Sequence, residues 1–192
     1  MIIASIGDSI TAGSPRWDPN PDVRAGIAEP DERSQWQWWA AQTRPQLEFR
    51  NHGVNGERTD QIAARLNEAL NGAEALVVQG GINDVVQGRS VDDAARNLGS
   101  MVERAQELGF RVAIADVLPW NNGDAAAAED IIRLNELVRA IADRLGVPLF
   151  PFHDTLVDPE QPHRMRDEWT DDGNHPSVEG HRLLGERAFV LP

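Results

Sequence analysis

Ile2-Ile3-Ala4-Ser5-Ile6-Gly7-Asp8-Ser9-Ile10-Thr11-Ala12-Gly13 is the stretch on which the reading of this chain turns. A short β-branched run stops at Gly7, and two residues later Ser9 stands where a buried strand would deliver it to the rim of a sheet. In an open α/β sheet, ligands bind outside the carboxyl ends of the strands. A hydroxyl at that rim is therefore placed as a nucleophile would be. Gly-Asp-Ser is also an ordinary polar turn, because each of its residues is favoured in turns for backbone reasons. The rest of the chain has to separate the two readings.

Downstream of Gly13, residues Ser14 to Arg33 are dense in Pro, Asp and Gly, with neither a helical nor a strand period, and read as a long loop. Ser34 is placed to cap a helix that carries Trp36, Trp38, Trp39 and Ala40 and ends before Pro45. Strands are expected at Leu47–Asn51, Ala75–Gln79, Arg111–Ala115 and Val147–Phe150. Between them lie helical patterns: one capped by Thr59 and stopped at Asn71-Gly72, one from Ser90 to Gly109, and one from the Ala125 run to Gly146. Asp154 to Trp169 has no period, and a last helix starts at Ser177. Such alternation demands right-handed crossovers, hence a parallel sheet of about five strands covered by helices on both faces. With 192 residues, one domain spanning 1–192 is expected.

Composition removes several classes of function. The chain has no Cys, which excludes disulfides and thiol catalysis. A net charge of −13 opposes nucleic acid and anionic membranes as partners, since both require a basic face. No apolar run is long enough to span a bilayer, and no basic leader precedes the first strand, so a cytoplasmic protein without stable membrane association is expected. All 18 cations are Arg, a bias that salt adaptation, heat adaptation or genome composition would each produce.

The polar residues after successive strands form a set. Ser9 follows the first strand, Gly53 the second and Asn83 the third, while Asp172 and His175 precede the last helix. Acyl transfer needs such a group: a hydroxyl, an imidazole to take and return its proton, a carboxylate to hold the imidazole, and donors for the oxyanion. Gly53 would offer its backbone N–H and Asn83 its amide, joining the N–H of Ser9. Asp171 is a rival to Asp172 as the orienting carboxylate, although the three-residue spacing favours Asp172. Asp8 is read as a brace for the Ser9 turn through backbone amides.

Gly7-Asp8-Ser9-Ile10, Gly53, Gly81-Ile82-Asn83-Asp84 and Asp172-Gly173-Asn174-His175 resemble, in order, the four sequence blocks of the SGNH hydrolase superfamily of GDSL-type esterases and lipases. The similarity spans nearly the whole chain. It implies a flavodoxin-like three-layer α/β/α sandwich and a triad of Ser9 as nucleophile, His175 as base and Asp172 as its partner. It further implies Ser9, Gly53 and Asn83 as oxyanion donors, and neither metal nor organic cofactor. Ile10 departs from the usual Leu of the first block, a volume-conserving exchange.

Six Trp and no Tyr is an unusual balance, with Trp17, Trp36, Trp120 and Trp169 in or near the expected rim loops. They suit either a platform for a flat ligand such as a sugar or ordinary core packing. Trp120 is the expected pocket wall because it follows the fourth strand directly. His52 and His153 lie near strand ends without an assigned role, and His153, Asp154, Asp158 and His163 lack a recognisable metal-ligand spacing. The leading expectation is a serine hydrolase of small or short-chain acyl esters, acetylated carbohydrate among them. A thioesterase or lysophospholipase for longer chains and a non-catalytic binding module are the alternatives.

Overall fold

A computed structural model describes residues 1–192. In chain order the elements are β1 (Ile2–Gly7), α1 (Ser9–Ala12), α2 (Pro21–Arg24), α3 (Trp36–Thr43), β2 (Glu48–Gly53), α4 (Thr59–Ala64), α5 (Leu66–Leu70), β3 (Ala75–Val78), α6 (Ile82–Val86) and α7 (Val91–Glu107). There follow β4 (Arg111–Ala115), α8 (Ala125–Leu145), β5 (Leu149–Phe150), α9 (Phe152–Leu156), β6 (Val157–Asp158), β7 (Gln161–Met165) and α10 (Val178–Leu183), the last running on into a widened π turn over Leu184–Ala188.

The first five strands make one parallel sheet in the order β2-β1-β3-β4-β5. β1 is interior, between β2 and β3, and its pairing with β2 runs from Ile2 opposite Glu48 to Gly7 opposite Gly53, so both strands end level at one edge. Strand order reverses beside β1, the place where an open α/β sheet leaves a crevice for a ligand. Ser9 sits at that crevice.

Alternation along β1 divides the core. Ala4 and Ile6 join a buried cluster with Leu98, Met101, Val102 and Leu134 of α7 and α8, whereas Ile3 joins one with Trp36, Phe150, Phe152 and Leu184 on the opposite face. These two apolar layers make the three-layer sandwich. Trp36 is wholly buried among Phe49, Phe150, Phe152 and Phe189, with ring centroids 5.7 to 6.1 Å apart, so it packs the core and forms no part of a rim platform.

The five strands and the long helices stand where periodicity placed them, and the differences have local causes. β5 begins at Leu149 rather than Val147 because Pro148 has no N–H to give the ladder, although its carbonyl still accepts from Ile114. Ser34 is not the cap of α3: it is buried, its hydroxyl lacks a partner, and Gln35 takes the capping position. Thr59 is likewise the first helical residue rather than the cap, because its hydroxyl and amide both bind Asp84. The helix expected from Thr59 to Leu70 is broken at Arg65, whose guanidinium reaches Glu57 and the carbonyl of His52. The unpatterned stretch after Asp154 holds α9 and the β6–β7 hairpin. No helix is long and apolar enough to cross a membrane.

Candidate active site

Ser9 owes its position to the residue before it. Asp8 caps α1 by accepting the Ile10 N–H at 2.9 Å, and its other carboxylate oxygen accepts from the Gln79 amide at 3.2 Å. Gln79 in turn accepts from Thr11 at 2.7 Å, closing a buried polar ring beneath the nucleophile turn. Burial pushes the Asp8 carboxyl up to about 6, against the two hydrogen bonds that favour its charged form. Asp8 thus braces the turn from below, and the Ser9 amide is left without a partner inside the protein.

The far end of the chain meets Ser9 from above. His175 Nε2 lies 3.1 Å from Ser9 Oγ, and His175 Nδ1 lies 2.8 Å from Asp172 Oδ2. Asp172 Oδ1 also accepts the backbone N–H groups of Asn174 and His175, each at 2.8 Å, so one carboxylate shapes the loop and orients the ring. Partial burial would raise the Asp172 pKa, but these three hydrogen bonds outweigh it and hold the carboxyl below its ordinary value. The segment is then fixed by Ser177, which caps α10 by accepting the Gly180 N–H. Asp171, the rival carboxylate, faces away and is paired with Arg16.

Of the two further residues expected as donors, only one lines the cleft. Asn83 does, and it is held by donating one amide hydrogen to the Glu57 carbonyl at 2.9 Å. Asp84 beside it binds Thr59, tying the turn after β3 to the start of α4. Gly53 does not serve as expected: its N–H is taken by Asn51 Oδ1 at 2.8 Å. Gly53 is required for close approach instead, since a Cβ there would come within 2.1 Å of the Ala12 nitrogen.

The turn just beyond it carries an unpartnered N–H. Val54 to Glu57 reverse the chain with Gly56 at φ +80°, a geometry suited to glycine, and the Gly56 N–H has no partner within the protein. Its neighbour Asn55 lines the cleft. Asn55-Gly56, an Asn-Gly pair just after a strand, is the sequence signal for this turn.

The cleft has a volume of about 170 Å³. Its apolar wall is Ile10, Ile82, Val86 and Trp120, the last where the sequence placed it. Its polar side adds Asn55 and Asn174 to Ser9, Asn83 and His175, and no arginine lines it. The other tryptophans are elsewhere: Trp17 lies under Arg24, Trp169 under Arg166, and Trp38 against Trp39. His153 is buried, its N–H bound to Asp116, and no group of His, Asp and Glu is arranged to hold a metal.

Residues 5–183 match the family model described as GDSL-like lipase/acylhydrolase. No curated protein matches the sequence. Among solved structures, a lipolytic protein of the G-D-S-L family from Desulfitobacterium hafniense superposes with a TM-score of 0.78 at 21% identity, over 96% of this chain and 95% of that one. An acetyl xylan esterase from Geobacillus stearothermophilus gives 0.75 at 18% identity, over 97% and 91%. A psychrotrophic esterase from Pseudoalteromonas, inhibited by monoethylphosphonate, gives 0.69 at 17%, over 96% and 92%. At these identities the structures speak for the fold, and the matched model for descent: the chain belongs to the GDSL-like lipase/acylhydrolase family.

Proposed function

We propose that the protein is a serine hydrolase of short-chain carboxylic esters that works through an acyl-enzyme on Ser9. The observation that carries this reading is the continuous line of hydrogen bonds from Ser9 Oγ through His175 to Asp172. A serine hydroxyl is a weak nucleophile near neutrality, and an imidazole at hydrogen-bond distance removes that handicap. Ser9 Oγ attacks the carbonyl carbon as its proton passes to His175 Nε2. The same proton then goes to the leaving alkoxide, breaking the bond between carbonyl carbon and alcohol oxygen. Water, deprotonated by His175, releases the acid and restores Ser9.

Charge that builds on the carbonyl oxygen needs fixed donors. The candidates are the Ser9 N–H, the free amide hydrogen of Asn83, and the unpartnered N–H of Gly56 in place of the Gly53 N–H that Asn51 takes. Asp172 never gives up its charge in this cycle; it holds the ring and stabilises the imidazolium.

Size and charge of the cleft favour small esters over the longer-chain alternatives. A cavity of ~150 Å³ takes a benzene ring, and this cleft, at about 170 Å³, is of that order. A lysophospholipid or an acyl carrier with phosphate groups would find no arginine there to meet its charge. Ile10, Ile82, Val86 and Trp120 suffice to cover a short acyl chain. Turnover of p-nitrophenyl esters from acetate to dodecanoate tests the reading: kcat/KM is expected to peak at acetate to butyrate, and a rise through the long chains would overturn it in favour of a lipase-like or thioesterase-like enzyme.

A further inference from the structure

Arg65 reaches three parts of the active-site edge at once. Its Nη1 donates to the His52 carbonyl at 3.1 Å, its Nη2 to the Gly7 carbonyl at 3.4 Å, and its Nε and Nη2 to the Glu57 carboxylate at 2.9 and 2.6 Å. Gly7 ends β1 two residues before Ser9, His52 stands one residue before the end of β2, and Glu57 closes the turn that holds Gly56. One planar cation therefore bridges the nucleophile strand, the strand beside it and the loop between β2 and α4.

Glu57 carries the linkage on to the loop after β3. While its carboxylate holds Arg65, its backbone carbonyl accepts from Asn83 Nδ2 at 2.9 Å. Asp84, the next residue, accepts from the N–H and hydroxyl of Thr59 at the start of α4, and Arg65 stands at the end of that helix. Asn83 is thus referred to α4 from both ends.

The turn between has little of its own to hold it. Val54, Asn55 and Gly56 are exposed, and the Glu57 N–H reaches the Val54 carbonyl only at 3.4 Å, which leaves the Val54 N–H on the Gly7 carbonyl at 3.0 Å as its one short backbone tie. Yet Asn55 lines the cleft with Ser9 and Asn83. Arg65 and Glu57 keep only 23% and 17% of their side-chain exposure, against 59% and 55% for the surface pair of Arg133 and Asp92, so water and salt compete less for them. A lysine could not replace this anchor, because a compact ammonium lacks the flat fork that meets a carboxylate and two carbonyls in fixed directions.

We propose that Arg65 is a positioning residue for the oxyanion donors: its guanidinium, braced by Glu57, sets the spacing between Ser9, the Gly56 turn and Asn83. Arg65 does not line the cleft, so it acts through these groups and not on the ester. The inference rests on the esterase reading above and gives a part in that reaction to a side chain outside all four sequence blocks.

Steady-state hydrolysis of p-nitrophenyl acetate, run below the melting temperature of every variant, tests it. A misplacement of about 1 Å costs on the order of 10² in rate. Arg65→Gln is accordingly expected to lower kcat by about 10² with KM within about threefold of wild type. Arg65→Lys is expected to regain less than about tenfold of that loss. Glu57→Gln, which leaves the backbone carbonyl for Asn83, is expected to cost about tenfold. A double variant separates positioning from general weakening: made in Asn83→Ala, Arg65→Gln is expected to cost no more than about tenfold, because a donor it positions is already gone. The same loss in both backgrounds, or a kcat within about threefold of wild type in Arg65→Gln alone, overturns the proposal and leaves the esterase reading standing. Absence of turnover in the wild type overturns both. Should Arg65→Gln fail to fold, Glu57→Gln decides, and a kcat within about twofold of wild type overturns the proposal.

Discussion

Arg16 and Asp171 join the two ends of the site by a two-point ion pair, with Nε 2.7 Å from Oδ2 and Nη2 2.9 Å from Oδ1. Arg16 stands in the loop after the nucleophile, and Asp171 adjoins the carboxylate that orients His175. The Asp171 N–H also binds the His175 carbonyl at 3.0 Å, so the pair holds the base loop over Ser9 from outside. Arg16 is half exposed, which limits the worth of the pair to about 1 kcal/mol.

The two neighbouring aspartates are therefore expected to differ sharply on substitution. Asp172→Asn should lower kcat by about 10⁴, because the ring loses the acceptor that sets its tautomer. Asp171→Asn or Arg16→Gln should cost no more than about tenfold, with a shallower loss at high salt in the wild type mimicking it. Steady-state kinetics with p-nitrophenyl acetate checks this. The assignment of the triad is contradicted if Asp171→Asn is the damaging change.

Gly53 and Asn83 should fail in different ways. Gly53→Ala forces a Cβ to 2.1 Å from the Ala12 nitrogen, and overpacking of this kind costs about 1–3 kcal/mol. Its signature is a lower melting temperature. Asn83→Ala removes a cleft-lining amide proposed as an oxyanion donor and is expected to lower kcat by about 10² to 10³ while the melting temperature moves little. A Gly53→Ala protein that is fully stable but inactive would restore Gly53 as the donor.

Two buried groups give stability opposite dependences on pH. Burial pushes the Asp116 carboxyl up to about 7, while its Oδ1 accepts the His153 N–H at 2.8 Å and its Oδ2 has no hydrogen-bond partner. The folded state holds this proton more tightly than the unfolded chain, so the stability it brings is full below pH 3.8 and is lost as pH rises through about 7. His181 is the reverse: wholly buried without a partner for either nitrogen, it is pushed down to about 3. Its contribution is present above pH 6.5 and lost as pH falls toward 3. Asp116→Asn should therefore raise the melting temperature at pH 8 relative to wild type and lose that advantage by pH 4. His181→Leu should flatten the acid limb below pH 6.5. Each effect is on the order of a few kcal/mol, and a variant whose gain is the same at every pH contradicts its assignment.

Much of this architecture was legible in the chain itself, for physical reasons that also mark where legibility stops. β4 at Arg111–Ala115 and the caps at Ser90 and Gly146 rest on local periodicity and local hydrogen bonds, which a sequence displays directly. Ser9 was readable because strand-to-helix loops of a parallel sheet share one edge, whereas Asp172 and His175 follow the β6–β7 hairpin and were readable from the Asp172-Gly173-Asn174-His175 block itself. Thr59 misled because its hydroxyl answers to Asp84, 25 residues away, rather than to its own helix. Gly53 ends β2 and Gly56 follows three residues later in the turn, and only the claim of Asn51 Oδ1 on the Gly53 amide separates the two, a contact no spacing displays. The tie between the Trp120 indole N–H and Asn174 Oδ1 spans 54 residues, and no spacing reveals it.

The hydroxyl of Ser9 is the centre of the account, and covalent capture tests it most directly. After incubation with an alkyl fluorophosphonate, intact mass should rise by one phosphonyl group, and peptide mapping should place it on Ser9. Labelling should vanish in Ser9→Ala and slow by several orders of magnitude in His175→Ala. A stoichiometric adduct on any other residue, or hydrolysis of p-nitrophenyl acetate by Ser9→Ala at the wild-type rate, would contradict it.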